Sequence, residues 1–190
     1  MSVRVADLLF GRSLSDPERA RREKEAGTNV GMVDAAERRW NIRMEHISGH
    51  RWNVILAGGD GRRLLPLTRR IAGDERPKQF CAVVGGQTLL DQTRSRIWNL
   101  GAPERTCVVV TKSHERFYAD DRSAEASLTS WLVQPLNQGT APAILYTLMR
   151  LRELDSGAVV AFFPSDHHFA DEQRFIACIR LAFEAAECAP

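Results

Sequence analysis

Short continuous apolar runs alternate with amphipathic stretches from Trp52 almost to the end of the chain. "NVILAGG" (53–59) is such a run, ending in glycine as a strand buried on both faces does. "RTCVVVT" (105–111), "SWLVQP" (130–135) and "AVVAFFP" (158–164) repeat the pattern. The intervening segments predict helices. One covers 88–101 and is closed by Gly101; a second covers 140–154, with Thr140 as N-cap and Pro142 in its first turn; a third covers 171–187, capped by Asp171. Strand–helix alternation predicts an α/β fold, a Rossmann-like parallel sheet with helices on both faces. Ligands of such sheets bind outside the carboxyl ends of the strands. Three stretches that do not read as core fall at that end: 58–79, 134–140 and 164–168.

Residues 1–50 break the pattern. They carry charge of both signs, as in "SDPERARREKEAG" (15–27), and predict a solvated helical extension ahead of a domain over 51–190. A second helix is expected over 32–47. Composition changes the picture little: 44% hydrophobic and 26% charged residues are ordinary for a globular domain. A net charge of +2 gives no general basis for nucleic-acid binding. The longest apolar runs are too short to cross a membrane. The start of the chain has an Asp within its apolar stretch and no small-residue cleavage site, unlike a signal peptide. Cys81, Cys107, Cys178 and Cys188 are widely spaced, which fits packed thiols in a reduced cytoplasmic protein.

The candidate chemistry lies in "VILAGGDGRRLLPLTRRIAGDERPKQF" (54–80). Glycines at the mouth of a strand let backbone N–H groups face an anion. Arg62, Arg63, Arg69, Arg70, Arg76 and Lys78 outnumber Asp60, Asp74 and Glu75 across the stretch. It contains no GxxxxGK string, and Gly59, Gly61 and Leu64 give GxGxxL rather than the dinucleotide GxGxxG. A different phosphate-binding turn is therefore expected.

"LAGGDGRRLLPLT" followed by "RPKQF" resembles the signature of the sugar-1-phosphate nucleotidyltransferases, and among them the mannose-1-phosphate guanylyltransferases. "GTAPAI" (139–144) and "FPSDH" (163–167) match further segments in the same order, and the resemblance covers about 52–187. It implies transfer of a nucleotide from a nucleoside triphosphate, GTP in this subfamily, to a sugar 1-phosphate such as mannose 1-phosphate, with release of pyrophosphate. It also implies that Leu56, Gly58, Gly59 and Gly61 line the nucleotide, that Arg63 holds the triphosphate, and that Lys78 neutralises phosphate charge. Gln79 is implied to orient the nucleoside, and Asp166 to bind Mg²⁺. Where the guanylyltransferases read EPxxRNTAPAI, this chain has "QPLNQGTAPAI". Gln134 and Gly139 thus resemble the base-reading loop of thymidylyl- and uridylyltransferase relatives, and Thr140 follows them.

Family members are longer, so the resemblance implies the nucleotide-binding half of an apparently truncated fold. A sugar pocket and a second metal-binding aspartate belong to the remainder. The open side is expected to need cover, from a homo-oligomer or from the amino-terminal extension. Enzyme and non-catalytic nucleotide-binding remnant both fit these expectations. "DHH" (166–168) also matches the metal triplet of the DHH phosphoesterases, which require further aspartates after an early strand, where this chain has one in "AGGDG". His167 and His168 are expected as turn residues, His46, His50 and His114 as surface residues, and Cys81 as a buried thiol.

Overall fold

The computed structural model describes residues 49–120 and 129–188, all within one compact unit, His46–Pro190. The helices expected at 15–27 and 32–47 lie outside the described residues. Four strands form one parallel sheet: β1 (Arg51–Leu56), β2 (Thr106–Thr111), β3 (Ser130–Gln134) and β4 (Val159–Pro164), in the order β3-β2-β1-β4. β1 is central, with Val54 opposite both Cys107 and Phe162. All four apolar runs became strands: β1 and β2 are buried on both faces, as their continuous apolar character suits, while the edge strands β3 and β4 are mostly half-buried. The chain lays β2 and β3 on one side of β1 and then returns to lay β4 on the other. That reversal opens a crevice at the carboxyl ends of β1 and β4.

The expected helices cover both faces. On one, Ile55, Val108, Val110 and Phe163 pack with Leu90, Ile97 and Leu100, and with the partly buried Phe175, Ile176 and Ile179. These residues place α2 (Leu89–Ile97) and α4 (Glu172–Cys188) on that side. Arg51 points the same way, over the Phe183 ring of α4. Its neighbour Trp52 points to the opposite face and donates through Nε1 to Asp155, the C-cap of α3 (Thr140–Leu154). Ala143, Thr147 and Leu151 are the buried residues of α3, while Leu145 and Met149 are exposed.

Three local expectations need correction. The helix expected to run to Gly101 ends at Ile97 and tightens into a 3₁₀ turn, Trp98–Leu100. Gly101 is extended (φ −172°), so it is no left-handed terminator. Its constraint is proximity, since a Cβ there would lie 3.3 Å from Asn53 Nδ2. Thr140 is not the N-cap of α3; Gly139 holds that position, and no side chain caps the helix. Within 58–79, a stretch that does not read as core and to which the sequence pattern assigns no element, lies an additional helix, α1 (Leu65–Ala72). Pro66 in its first turn and the left-handed Gly73 after it are ordinary boundary signals that the charge pattern masked. By contrast Asp171 caps α4 as expected, accepting from the Arg174 N–H at 2.8 Å.

Candidate functional site

The site is assembled from three loops at the carboxyl end of the sheet. The first leaves β1. Ala57 N–H still bonds the Val109 carbonyl at 2.8 Å, and the chain then turns through Gly58–Gly61. Gly61 is left-handed (φ 62°), and a Cβ there would lie 3.3 Å from Lys78 N, so it needs glycine for both conformation and space. Gly59 is exposed, with open space around its Cα. Thr111, at the end of β2, donates through Oγ1 to the Gly58 carbonyl at 2.9 Å. Gln79 donates to the carbonyls of Ala57 and Gly59 at 2.7 and 2.8 Å. Two side chains therefore bind the loop's carbonyls.

Gln79 itself is 2% exposed. Its amide is turned into the loop, so its action is on the backbone beneath a ligand. Pro77 precedes it in an extended conformation, and Lys78–Phe80 forms a 3₁₀ turn that presents Lys78 outward and buries Gln79 and Phe80. Cys81 follows as a buried thiol, as expected.

The arginines of the stretch are not equivalent. Arg76 makes a bidentate bond to Asp74 (2.7 and 2.9 Å) and donates to the Phe80 carbonyl at 3.3 Å, fixing the segment before the lysine. This pairing raises the Arg76 pKa and lowers that of Asp74. Arg69 is engaged by Glu75. Arg62, its side chain 85% exposed, lies 3.6 Å from Asp60. Arg63 is exposed beside the glycine turn. Arg76 and Arg69 are thus engaged by carboxylates of the stretch itself, whereas Arg63 stands beside the glycine turn and Lys78 on the turn that follows.

Asp166 lies in the second loop, just beyond β4. Its carboxylate forms a salt bridge with Lys78, both side chains remaining partly exposed. Two residues distant in sequence are thereby joined across the crevice between β1 and β4. Arg96 of α2, buried to 3% side-chain exposure, supports this loop from behind. It donates to the His167 carbonyl at 3.1 Å, pairs with Glu172 at 2.8 Å and lies over the Phe169 ring. His167 and His168 are exposed loop residues just after the turn at Ser165 and Asp166. No cluster of three or more His, Cys, Asp or Glu side chains placed to hold a metal ion occurs among the described residues.

The third loop brings Gln134 and Gly139. Gln134 is 7% exposed, and its Oε1 lies 3.3 Å from where a Gly58 Cβ would sit. Gly139, left-handed at φ 91°, opens α3 with its own N–H bonded to Asn137 Oδ1. Thr140 is exposed in the first turn. α3 has no side-chain cap and no acidic residue in its first turn; Pro142 there carries no N–H and the Ala143 N–H bonds the Gly139 carbonyl at 3.4 Å, which leaves the Thr140 and Ala141 N–H groups uncapped. Leu56 ends β1, its carbonyl accepting from Ser165 N–H at 3.3 Å.

Gly58→Ala tests the closeness of this packing. A Cβ would meet the bonded Thr111 Oγ1 at 2.9 Å and Gln134 Oε1 at 3.3 Å. We expect a stability loss of about 1–2 kcal/mol from overpacking. Thermal melts of parent and variant check it.

Sequence reasoning missed four contributors: Thr111, Arg96, Asp60 and His114. His114, expected at the surface, is 7% exposed. It is buried because the 3₁₀ turn after β2 folds it against Phe80, an edge contact at 6.1 Å between centroids. Thr111 alone carried a linear signal, as the last residue of a strand whose carboxyl end faces the crevice.

Comparison with known proteins follows the same boundaries. The nucleotidyl transferase family model matches residues 52–188. The alginate biosynthesis protein AlgA of Pseudomonas syringae pv. tomato is 36% identical over 136 residues, 70% of this chain and 27% of that protein. A mannose-1-phosphate guanylyltransferase of Salmonella montevideo is 35% identical over the same shares. The chain thus spans about a quarter of the length of these curated relatives. Among solved structures, a Thermus thermophilus protein described as mannose-1-phosphate geranyltransferase superposes with a TM-score of 0.60 at 32% identity, covering 73% of this chain and 39% of that one. A mannose-6-phosphate isomerase from Helicobacter pylori shares the fold alone, with a TM-score of 0.54 at 23% identity, over 73% of this chain and 47% of that one. The glycine turn, the lysine turn and the strand-end aspartate of this chain all lie within the span of the matching family model, and the chain belongs to the nucleotidyl transferase family.

Proposed function

We propose that this chain carries the nucleotide-binding part of a sugar-1-phosphate nucleotidyltransferase, with GTP as donor and mannose 1-phosphate as acceptor. The observation that carries the reading is the meeting of Lys78 and Asp166 at the β1–β4 crevice, against the glycine turn. Cation, carboxylate and open backbone N–H groups together suit a triphosphate. The choice of guanine and mannose draws on "PKQF", "TAPAI" and the Salmonella relative.

In the transfer, an oxygen of the sugar phosphate attacks the α-phosphorus and the bond to pyrophosphate breaks. The chain is asked for positioning and charge neutralisation rather than for a nucleophile. Arg63 holds the triphosphate and stabilises the leaving pyrophosphate. Lys78 offsets the charge of the converging phosphates. Gly58, Gly59 and Gly61 let the backbone approach, while Gln134 presents an amide near the base. Asp166 offers hard oxygen donors, partly exposed at the mouth. Mg²⁺ bound by one carboxylate plus substrate phosphates needs no all-protein cage, so these residues fit the ion. Bound there, Mg²⁺ supplies further neutralisation of phosphate charge. The four free thiols accord with a reducing cytoplasm, and no helix among the described residues is long and apolar enough to cross a membrane.

A second reading, nucleotide binding without turnover, draws on the same salt bridge: a metal ion must displace Lys78 before it gains Asp166. The test is pyrophosphate release from GTP and Mg²⁺, with and without mannose 1-phosphate. Release that requires the sugar phosphate supports transfer. Binding of GTP without release favours the second reading, and failure of GTP, ATP, UTP and dTTP alike to bind overturns both.

A further inference from the structure

Asp60 places a carboxylate inside a loop whose backbone is suited to an anion. Left alone, its charge would oppose a phosphate. It has two neighbours. Arg62 is a surface side chain 3.6 Å away and 85% exposed, a contact of little strength. His114 is different: its Nε2 lies 3.4 Å from Asp60 Oδ1, and its side chain is only 8% exposed. The ring is lodged against Phe80, the last residue of the 3₁₀ turn that carries Lys78. His114 thus stands between the glycine turn and the lysine turn.

The rest of the ring determines its chemical state. Nδ1 is buried with no hydrogen-bond partner. A proton on Nδ1 would bury an unpaired donor and turn a nitrogen lone pair toward the Asp60 carboxylate. A proton on Nε2 faces that carboxylate instead and leaves only a bare lone pair buried. Burial also pulls the His114 pKa below its ordinary value, against the opposing influence of Asp60. The surroundings of the ring thus favour a neutral imidazole with its proton on Nε2, facing Asp60.

We propose that His114 is a positioning residue of the nucleotide site, its neutral imidazole holding Asp60 and thereby setting the glycine turn for the triphosphate. The clip complements Gln79, which binds the carbonyls of Ala57 and Gly59 from the same 3₁₀ turn as Phe80. Its consequence for nucleotide rests on the reading under Proposed function; the clip itself rests on the geometry of the free protein.

The test has two arms. ¹⁵N NMR of labelled histidine in the free protein reports the tautomer. His114 should be the Nε2–H form, and Asp60→Ala should convert it to a mixture. An Nδ1–H ring, or a tautomer indifferent to Asp60→Ala, overturns the clip. The second arm measures Mg·GTP affinity. Asp60→Ala and His114→Ala should each weaken it about tenfold, with the double variant no worse than either single one. His114→Gln, whose amide N–H reaches to the position of the imidazole Nε2, should stay within about threefold of the parent. An isolated carboxylate that merely repels phosphate predicts the opposite: Asp60→Ala would tighten binding, and the positioning role would be overturned. Unchanged affinity beside the predicted tautomer leaves a structural contact only and overturns it too. Should His114→Ala fail to fold, Asp60→Ala, at a side chain one-third exposed, still decides. If the parent binds no nucleoside triphosphate, the proposed function fails, while the NMR arm still judges the clip.

Discussion

Lys78→Ala should reduce sugar-phosphate-dependent pyrophosphate release by about a thousandfold, the upper range for removing one preorganised group from a developing charge. Lys78 is presented by a turn whose flanks are fixed. Gln79 is bonded to the glycine loop, and the preceding Arg76 is bonded to Asp74 and to the Phe80 carbonyl. The lysine is therefore held in place before a ligand arrives. Its removal also frees the Asp166 carboxylate from its salt bridge. In nucleotide-free protein, Lys78→Ala should therefore bind Mg²⁺ more tightly than the parent while turning over far less. Asp166→Asn should lose both Mg²⁺ affinity and turnover, and the double variant should be far from additive. Lys78→Arg should not restore activity, because a planar guanidinium does not replace a compact ammonium in a fixed turn. Isothermal titration with Mg²⁺ alone, followed by turnover assays, checks the set. Turnover in Lys78→Ala within threefold of the parent would remove the lysine from the mechanism.

The second large effect concerns stability, at the opposite end of the sheet. Asp155→Ala should destabilise the domain by about 3 kcal/mol, the range for breaking a buried ionic and hydrogen-bonded cluster. The Asp155 side chain is 11% exposed and accepts from His50 Nδ1 at 2.7 Å, Trp52 Nε1 at 2.9 Å and Gly157 N–H at 3.1 Å. Arg105, its side chain 7% exposed, lies 3.6 Å away. The aspartate joins the end of α3 to β1 and to the entry of β2. Removing it strands a buried indole N–H and takes a counter-charge from Arg105. Burial by itself would raise the Asp155 pKa, but the hydrogen bonds from Trp52 and His50 outweigh it and hold the carboxyl below its ordinary value. A depressed folded pKa contributes stability that is fully present above the unfolded value of about 4 and is lost as pH falls through the folded one. Urea denaturation should therefore separate parent from variant widely at pH 7 and less at pH 3. An equal gap at both would show that charge on Asp155 contributes nothing.

The strand order and the site differ in how far they could be read along the chain. Apolar runs at 53–59, 105–111, 130–135 and 158–164 each became a strand, since a short continuous apolar run bounded by turn residues is a local signature that neighbours do not erase. α1 goes unassigned along the chain because "LPLTRRIA" is short and only Thr68 within it is buried. Thr140 carried a cap residue's chemistry, yet Gly139 at φ 91° begins the helix, because the turn before it needs a left-handed residue.

By itself, the sequence determined the α/β class and the glycine turn at the end of the first strand, and it set Lys78 and Asp166 in short motifs that resemble those of the family. Each of these depends on neighbours within a few positions: periodicity, backbone freedom, or charge in a short motif. Only the tertiary structure decided that β4 returns beside β1, which is what sets Lys78 against Asp166. It also turned Gln79 inward onto the loop carbonyls and lodged His114 beneath Asp60. Those outcomes depend on the order in which strands pair and on the side to which each connection packs. Both are fixed by burial of the whole sheet, a quantity to which no single stretch of the chain corresponds.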